Sequence, residues 1–127
     1  MLKLFYVCTF VLLMTAAALQ LNDSDVLFWG CFYSLCALVP LLALLKIRLL
    51  ALYAICIAYG LVTAGISLSG GITFLQHFGE VSLLQDMSPD RPYLEETREL
   101  LGSLIALAFV IACILLGRNR KANAADN

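Results

Sequence analysis

Two short polar segments contain the residues whose types could support chemistry. Each borders an apolar stretch, and together they hold Gln20, Asn22, Asp23, Asp25, Glu95, Glu96, Arg98 and Glu99. Carboxylate and amide oxygens are the ligands that Ca²⁺ and Mg²⁺ take in proteins. In the second segment, Glu95, Arg98 and Glu99 follow the spacing i, i+3 and i+4, which places them on one face of a helix. We call these eight residues the polar cluster and predict for it a structural or a ligand-binding role.

Two interpretations of the polar cluster are open. In the structural one, Asn22 or Asp23 caps the helix that follows, because a side-chain oxygen there can accept from a free backbone N–H. Arg98 then pairs with Glu95 or with a carboxylate of the first segment. In the other interpretation, the carboxylates bind a cation or a polar ligand, and His77 can add a nitrogen for a transition metal. We favour the structural interpretation and expect no metal ion and no cofactor.

Motifs of catalysis are missing from the chain. It has no HExxH, no phosphate-binding glycine loop, no Gly-x-Ser-x-Gly elbow and only one histidine, so the familiar metalloprotease, nucleotide-hydrolysing and serine-hydrolase sites have no counterpart. The five cysteines all lie in apolar stretches and form no CxxC pair, which favours a packing role. We expect neither enzymatic activity nor a nucleic-acid partner.

Four apolar stretches must position the polar segments. Hydrophobic residues make up 62% of the 127-residue chain and charged residues 13%, whereas a soluble domain has about 45–50% and 25%. The stretches are Leu4–Leu21, Val26–Leu45, Leu49–Ser69 and Leu100–Gly117. Each approaches the roughly 20 residues that a helix needs to cross a bilayer. We predict one all-α domain over residues 1–121, an antiparallel bundle of four transmembrane helices at about 4–21, 26–45, 49–69 and 94–117, followed by a disordered cytoplasmic tail at 122–127.

The charges divide unequally between the two sides that four crossings would create. One side has Lys3, Lys46, Arg48, Arg118, Arg120 and Lys121 with Asp126, and the other has Asp23, Asp25, Glu80, Asp86, Asp90, Glu95, Glu96 and Glu99 with Arg91 and Arg98. Cytoplasmic loops carry an excess of Lys and Arg. We therefore expect both termini in the cytoplasm, in the cell membrane if the protein is bacterial, and an acidic outer face.

The first apolar stretch also has features of a signal peptide. Lys3 provides a positive start and the run Thr15 to Ala18 offers small residues for cleavage. The stretch continues through Leu21, beyond the usual apolar region of about 7–15 residues. We favour a retained helix, and the mass of the mature chain would decide between the two.

Small residues on the third apolar stretch predict close helix packing. They are Ala54, Ala58, Gly60, Ala64, Gly65 and Ser69, and small residues let helix backbones approach each other in lipid. This helix is therefore predicted to be the most central. After it, residues 72–85 have apolar positions at a roughly helical period. They indicate a short amphipathic helix at the outer interface or an extension of the third helix.

Two parts of the chain resemble a known family. The run Ala18 to Asp25 (ALQLNDSD), followed by Trp29 and an apolar helix through Leu45, is similar to the Q-x-N-D-x-D segment of the transmembrane protein 220 family. The run Pro92 to Gly102 (PYLEETRELLG) resembles that family's acidic segment before the last helix. Serine stands at position 24 where the family usually has proline, so the carboxylates are kept without the rigid turn residue. The resemblance implies a four-helix membrane protein and supplies no activity.

These observations predict a small multi-pass membrane protein with a structural or partner-binding role. Its partners would be the lipid bilayer and another membrane protein or a second copy of the chain. The alternative is a small binding or transport protein that uses the acidic outer residues for a cation or polar ligand. The middles of all four stretches lack ionisable side chains other than cysteine and tyrosine, which counts against ion-coupled transport by a monomer.

Overall fold

The computed structural model describes residues 1–22, 25–84 and 90–125, without the side chains of residue 22 and residues 119–125. Within these ranges the fold is all-α. The helices are α1 (Leu2–Leu19), α2 (Val26–Leu44), α3 (Leu50–Ile66), α4 (Leu68–Gln76) and α5 (Pro92–Ala125), with a 3₁₀ turn at Gln20–Asn22. The predicted fold class is confirmed in this coarse form.

Three helices in the described ranges are long and apolar enough to cross a membrane: α1, α2 and the Pro92–Arg118 part of α5. The third predicted crossing is divided, because α3 and α4 meet at a 43° bend. Together they would make a fourth crossing, so the described chain has three spans, or four if this bent pair counts as one.

The helices pack in two groups that meet at α5. α1 packs most extensively on α2, while α3 and α4 both pack on α5, which also contacts α2. Aromatic rings fill the region between α2 and α3, with Phe32 and Tyr59 centred 5.3 Å apart and Phe28 equally close to Tyr59. The Tyr59 hydroxyl donates to the Phe28 carbonyl oxygen over 2.7 Å. These contacts fix α3 against the first half of α2.

The predicted packing residues of the third helix do not all face the core of the fold. Gly60 is buried against the Leu107 side chain of α5, and Ala64 is half-buried. The other predicted packing residues are exposed: Ala54, Ala58, Gly65 and, on α4, Ser69. The reason is the helix period of 3.6 residues, which places Ala54, Ala58 and Gly65 about 180° from the inward face of α3.

The last helix is longer than its hydropathy predicted. It begins at Pro92, where a missing N–H costs nothing in the first turn. It continues to Ala125 rather than ending near Gly117. The helix thus extends beyond its apolar part into the predicted tail at 122–127, of which residues 126 and 127 lie outside the described ranges.

Candidate functional site

Two carboxylates of the polar cluster contact the bend between α3 and α4. The Ser67 hydroxyl donates to Oε2 of Glu99 over 2.9 Å, and the Ser69 hydroxyl donates to Oε2 of Glu96 over 3.0 Å. Ser67 is completely buried, whereas both glutamates are half-buried. Hydrogen bonds to ionised groups are stronger than those between neutral groups. The two serines therefore stabilise the packing of the bend against the first turns of α5.

Two glycines bring the α4 backbone close to the same turns of α5. A Cβ atom at Gly70 would collide with the Glu96 side chain and lie 3.1 Å from the Tyr93 carbonyl oxygen. At Gly71 it would collide with the Leu100 side chain. Glycine is unfavourable inside helices, but the break between α3 and α4 lies before this glycine pair, at Ser67. The glycines instead permit close packing of α4 on α5.

Arg98 connects α5 to the loop that follows α4. Its Nε donates to the Leu83 carbonyl oxygen over 2.7 Å, from a half-buried position. The loop turns through Gly79, whose φ of 93° lies in the left-handed region that glycine adopts without strain. The predicted pairing of Arg98 with Asp23 stays a prediction, because Asp23 lies outside the described residues.

The first polar segment makes mostly local contacts. Gln20 Nε2 donates to the Ala16 carbonyl oxygen over 3.3 Å, within its own helix end. Asp25 occupies the position before α2, but its side chain makes no capping hydrogen bond. α2 begins at Val26, and the predicted cap by Asn22 or Asp23 stays a prediction, because Asp23 and the side chain of Asn22 lie outside the described residues.

The two polar segments nevertheless meet at one end of the fold. Asp25 and Glu99 line a shallow cleft of about 340 Å³ together with Phe28, Trp29 and Ile66. Glu95 lies in the first turn of α5, four positions before Glu99, and is half-buried. The structure thus brings Asp25, just before α2, and Glu99 of α5 to the same cleft.

A metal centre does not form among the residues that the structure describes, where no group of three or more His, Cys, Asp or Glu side chains has suitable positions. His77 accepts or donates at Nδ1 with the Thr73 carbonyl oxygen over 2.9 Å and stacks on Tyr93. These contacts give His77 a hydrogen-bonding and stacking role at the end of α4.

A second and larger cavity lies at the basic end and was not predicted. Its volume is about 650 Å³, and its lining includes Tyr6, Lys46, Arg48, Tyr53 and Arg118. The sequence indicates this cavity only through Lys46, Arg48 and Arg118, which lie next to the ends of apolar stretches. Their convergence on one cavity depends on how α1, α3 and α5 pack, which the sequence does not reveal.

Comparison with known proteins places this architecture in a family. The family model described as "Transmembrane family 220, helix" matches residues 12–115, which include both polar segments and most of the apolar helices. No curated protein and no solved structure matches the chain. The match covers most of the chain and confirms the resemblance seen in its polar segments, so this small multi-pass membrane protein belongs to the transmembrane protein 220 family.

Proposed function

We propose that this chain is a non-catalytic structural or partner-binding protein of the membrane, in which the polar cluster holds the helices together. The observation that carries the proposal is the pair of serine-to-glutamate hydrogen bonds, Ser67 to Glu99 and Ser69 to Glu96. One carboxylate oxygen of each glutamate accepts a hydrogen bond from a serine outside α5, as expected for groups that hold helices in a fixed arrangement. The proposed arrangement is a bundle of four crossings with an acidic outer end.

The partner-binding part of the proposal rests on the exposed face of α3. Ala54, Ala58 and Gly65 lie on this face, and so do larger apolar side chains such as Leu61, which is 63% exposed. In lipid, helix association depends on close packing between small residues rather than on hydrophobicity. A helix of a second copy, or of another membrane protein, would gain such packing here.

The test is native mass spectrometry of the full chain extracted gently from its own membranes, with an Ala58→Phe variant. We expect a stoichiometric second polypeptide, identical or different, that is lost in this variant because the phenyl ring separates the helices. Ala108→Phe is the matched control, since Ala108 is an exposed alanine on α5. A monomer in the unchanged protein, or equal loss with both variants, would contradict partner binding through α3.

A second candidate function is binding of a small polar ligand or cation at the cleft between Asp25 and Glu99. The observation in its favour is that two carboxylates from different helices line one cleft. An Asp25→Asn variant separates the candidates, because the Asp25 side chain makes no capping bond. Loss of a bound species without loss of stability would favour the ligand site, and loss of stability without any bound species would favour the structural role.

A further inference from the structure

The cavity at the basic end combines positive charge with an apolar wall. Lys46, Arg48 and Arg118 contribute the cations, and the described lining residues include no carboxylate. Ala43, Ile47, Leu50 and Ile114 contribute apolar surface, and Tyr6 and Tyr53 contribute hydroxyl-bearing side chains. A volume of about 650 Å³ lies within the range of about 300–1,000 Å³ that ligand pockets occupy. The lining therefore suits a ligand with an anionic head and an apolar body.

The cavity and the acidic end of the fold are separated by about the thickness of a bilayer's hydrocarbon core. Arg118 follows Glu99 by nineteen positions on α5, which corresponds to about 28 Å at 1.5 Å per residue. The hydrocarbon core of a bilayer is about 30 Å thick. If the acidic end lies at one boundary, the cavity lies at the other, where lipid phosphates are found.

The turn after α2, which supplies Lys46 and Arg48, has a defined hydrogen-bonded conformation. Ile47 N–H donates to the Leu42 carbonyl oxygen over 2.9 Å and Lys46 N–H donates to that of Ala43 over 3.2 Å. These bonds end α2 in the Schellman pattern, which places Lys46 in the left-handed region with φ of 61°. Glycine is the usual residue there, and a lysine bears backbone strain that glycine avoids. The strained lysine contributes its charge to the cavity.

Gly117 leaves space in the cavity between the Arg48 guanidinium and the Tyr6 hydroxyl. A Cβ atom at Gly117 would lie 3.6 Å from Nη2 of Arg48 and 3.9 Å from the Tyr6 hydroxyl. An alanine would fit there in ordinary contact, whereas a longer side chain would occupy the space that the guanidinium and the phenol border. Gly117 thus marks the position at which a head group can approach both.

We propose that this cavity binds one anionic phospholipid, with its phosphate at Arg48 and Arg118 and its glycerol and upper acyl chain against the wall formed by Leu50 and Ile114. Arginine suits this role because its planar guanidinium donates two parallel hydrogen bonds to phosphate oxygens. Basic pockets between transmembrane helices are known to bind anionic lipid head groups. The apolar wall and the boundary depth favour a lipid over free phosphate.

The test uses the full-length protein in mixed micelles with equal amounts of dioleoylphosphatidylglycerol and dioleoylphosphatidylcholine, read by native mass spectrometry. We expect one phosphatidylglycerol to be retained in preference to phosphatidylcholine. This preference should fall about fivefold with Arg48→Gln and again with Arg118→Gln. Lys3→Gln is the matched control, since Lys3 is an exposed cation near the same end that does not line the cavity. Equal retention of both lipids, or an equal fall with Lys3→Gln, would overturn the proposal in favour of diffuse surface attraction.

Two further variants separate lipid binding from a purely structural role. Lys46→Gly relieves the left-handed strain while removing a charge, so we expect unchanged or higher thermal stability together with a lower phosphatidylglycerol preference. Gly117→Leu should abolish retention and Gly117→Ala should preserve it. Higher stability of Lys46→Gly with unchanged lipid preference would overturn the proposal. Displacement of the lipid by millimolar inorganic phosphate would overturn the proposal, because it would show that the cavity binds free phosphate rather than a lipid.

Discussion

Ser67 and Glu99 join the bend between α3 and α4 to the start of α5, with the serine hydroxyl 2.9 Å from the carboxylate oxygen Oε2. Thirty-two positions separate the two residues in the chain. Ser67 is fully buried at the residue where the helix axis changes direction by 43°. The bond therefore connects the orientation of α4 to the position of the acidic segment.

Replacing Ser67 by alanine should lower the free energy of unfolding by about 1–3 kcal/mol, the cost of losing a hydrogen bond to a charged group. The measurement is reversible unfolding of the protein in detergent micelles. Ser69→Ala is the control, because the bond from Ser69 to Glu96 is exposed and its loss should cost less. In a cycle with Glu99→Gln, the effects of the two changes should be non-additive by at least about 0.5 kcal/mol. Additive effects would mean that the bond does not contribute to stability.

Gly70→Ala should destabilise the fold by about 1–3 kcal/mol, because the added methyl group meets Glu96 and the Tyr93 backbone, which cannot move aside without shifting α5. Gly65→Ala is the matched control on the same bent pair. Nothing lies within 4 Å of the position that its methyl group would take. Alanine is the better helix former by about 0.8–1 kcal/mol, so this variant should be neutral or more stable. Equal destabilisation of both variants would contradict close packing at Gly70. Thermal unfolding of the two proteins in the same detergent provides the comparison.

Arg98→Gln should release the loop at residues 78–84 from α5, because the bond from Nε to the Leu83 carbonyl oxygen is lost. We expect faster amide hydrogen exchange in this loop, with little change in the buried part of α2. Arg91→Gln is a suitable control, as it removes a cation from the start of the same acidic segment. Unchanged exchange in the loop would show that Arg98 acts elsewhere.

The apolar runs of the sequence located most of the helices, and the reason is physical. The predicted starts and ends of α1 and α2 lie within about two residues of the observed ones, because polar turns interrupt the apolar runs there. The inward face of α3 was not predictable in the same way. Gly60 lies on one face and Ala58 and Gly65 on the other, and in lipid both faces are apolar, so small residues alone do not reveal which face meets the core.

The contacts of the polar cluster depend on how the helices pack, which cannot be inferred from the sequence. Glu99 accepts a hydrogen bond from Ser67, a residue near the end of the predicted uninterrupted third helix at 49–69. Likewise, Arg48 and Arg118 meet at one cavity only because the turn after α2 packs near the end of the apolar part of α5. Such long-range pairs require a fold before they can be recognised.

The number of crossings predicts where the two termini lie. If the bent pair α3–α4 crosses the membrane, the chain has four spans and both termini lie on one side; if it does not, three spans place them on opposite sides. The charge asymmetry favours the first arrangement, because Lys3, Arg48 and Arg118 then share the cytoplasmic side. We therefore expect reporters fused to either terminus to give the same cytoplasmic signal. Opposite signals from the two fusions would mean that α3 and α4 enter and leave on one side, and the proposed four-helix arrangement would be wrong.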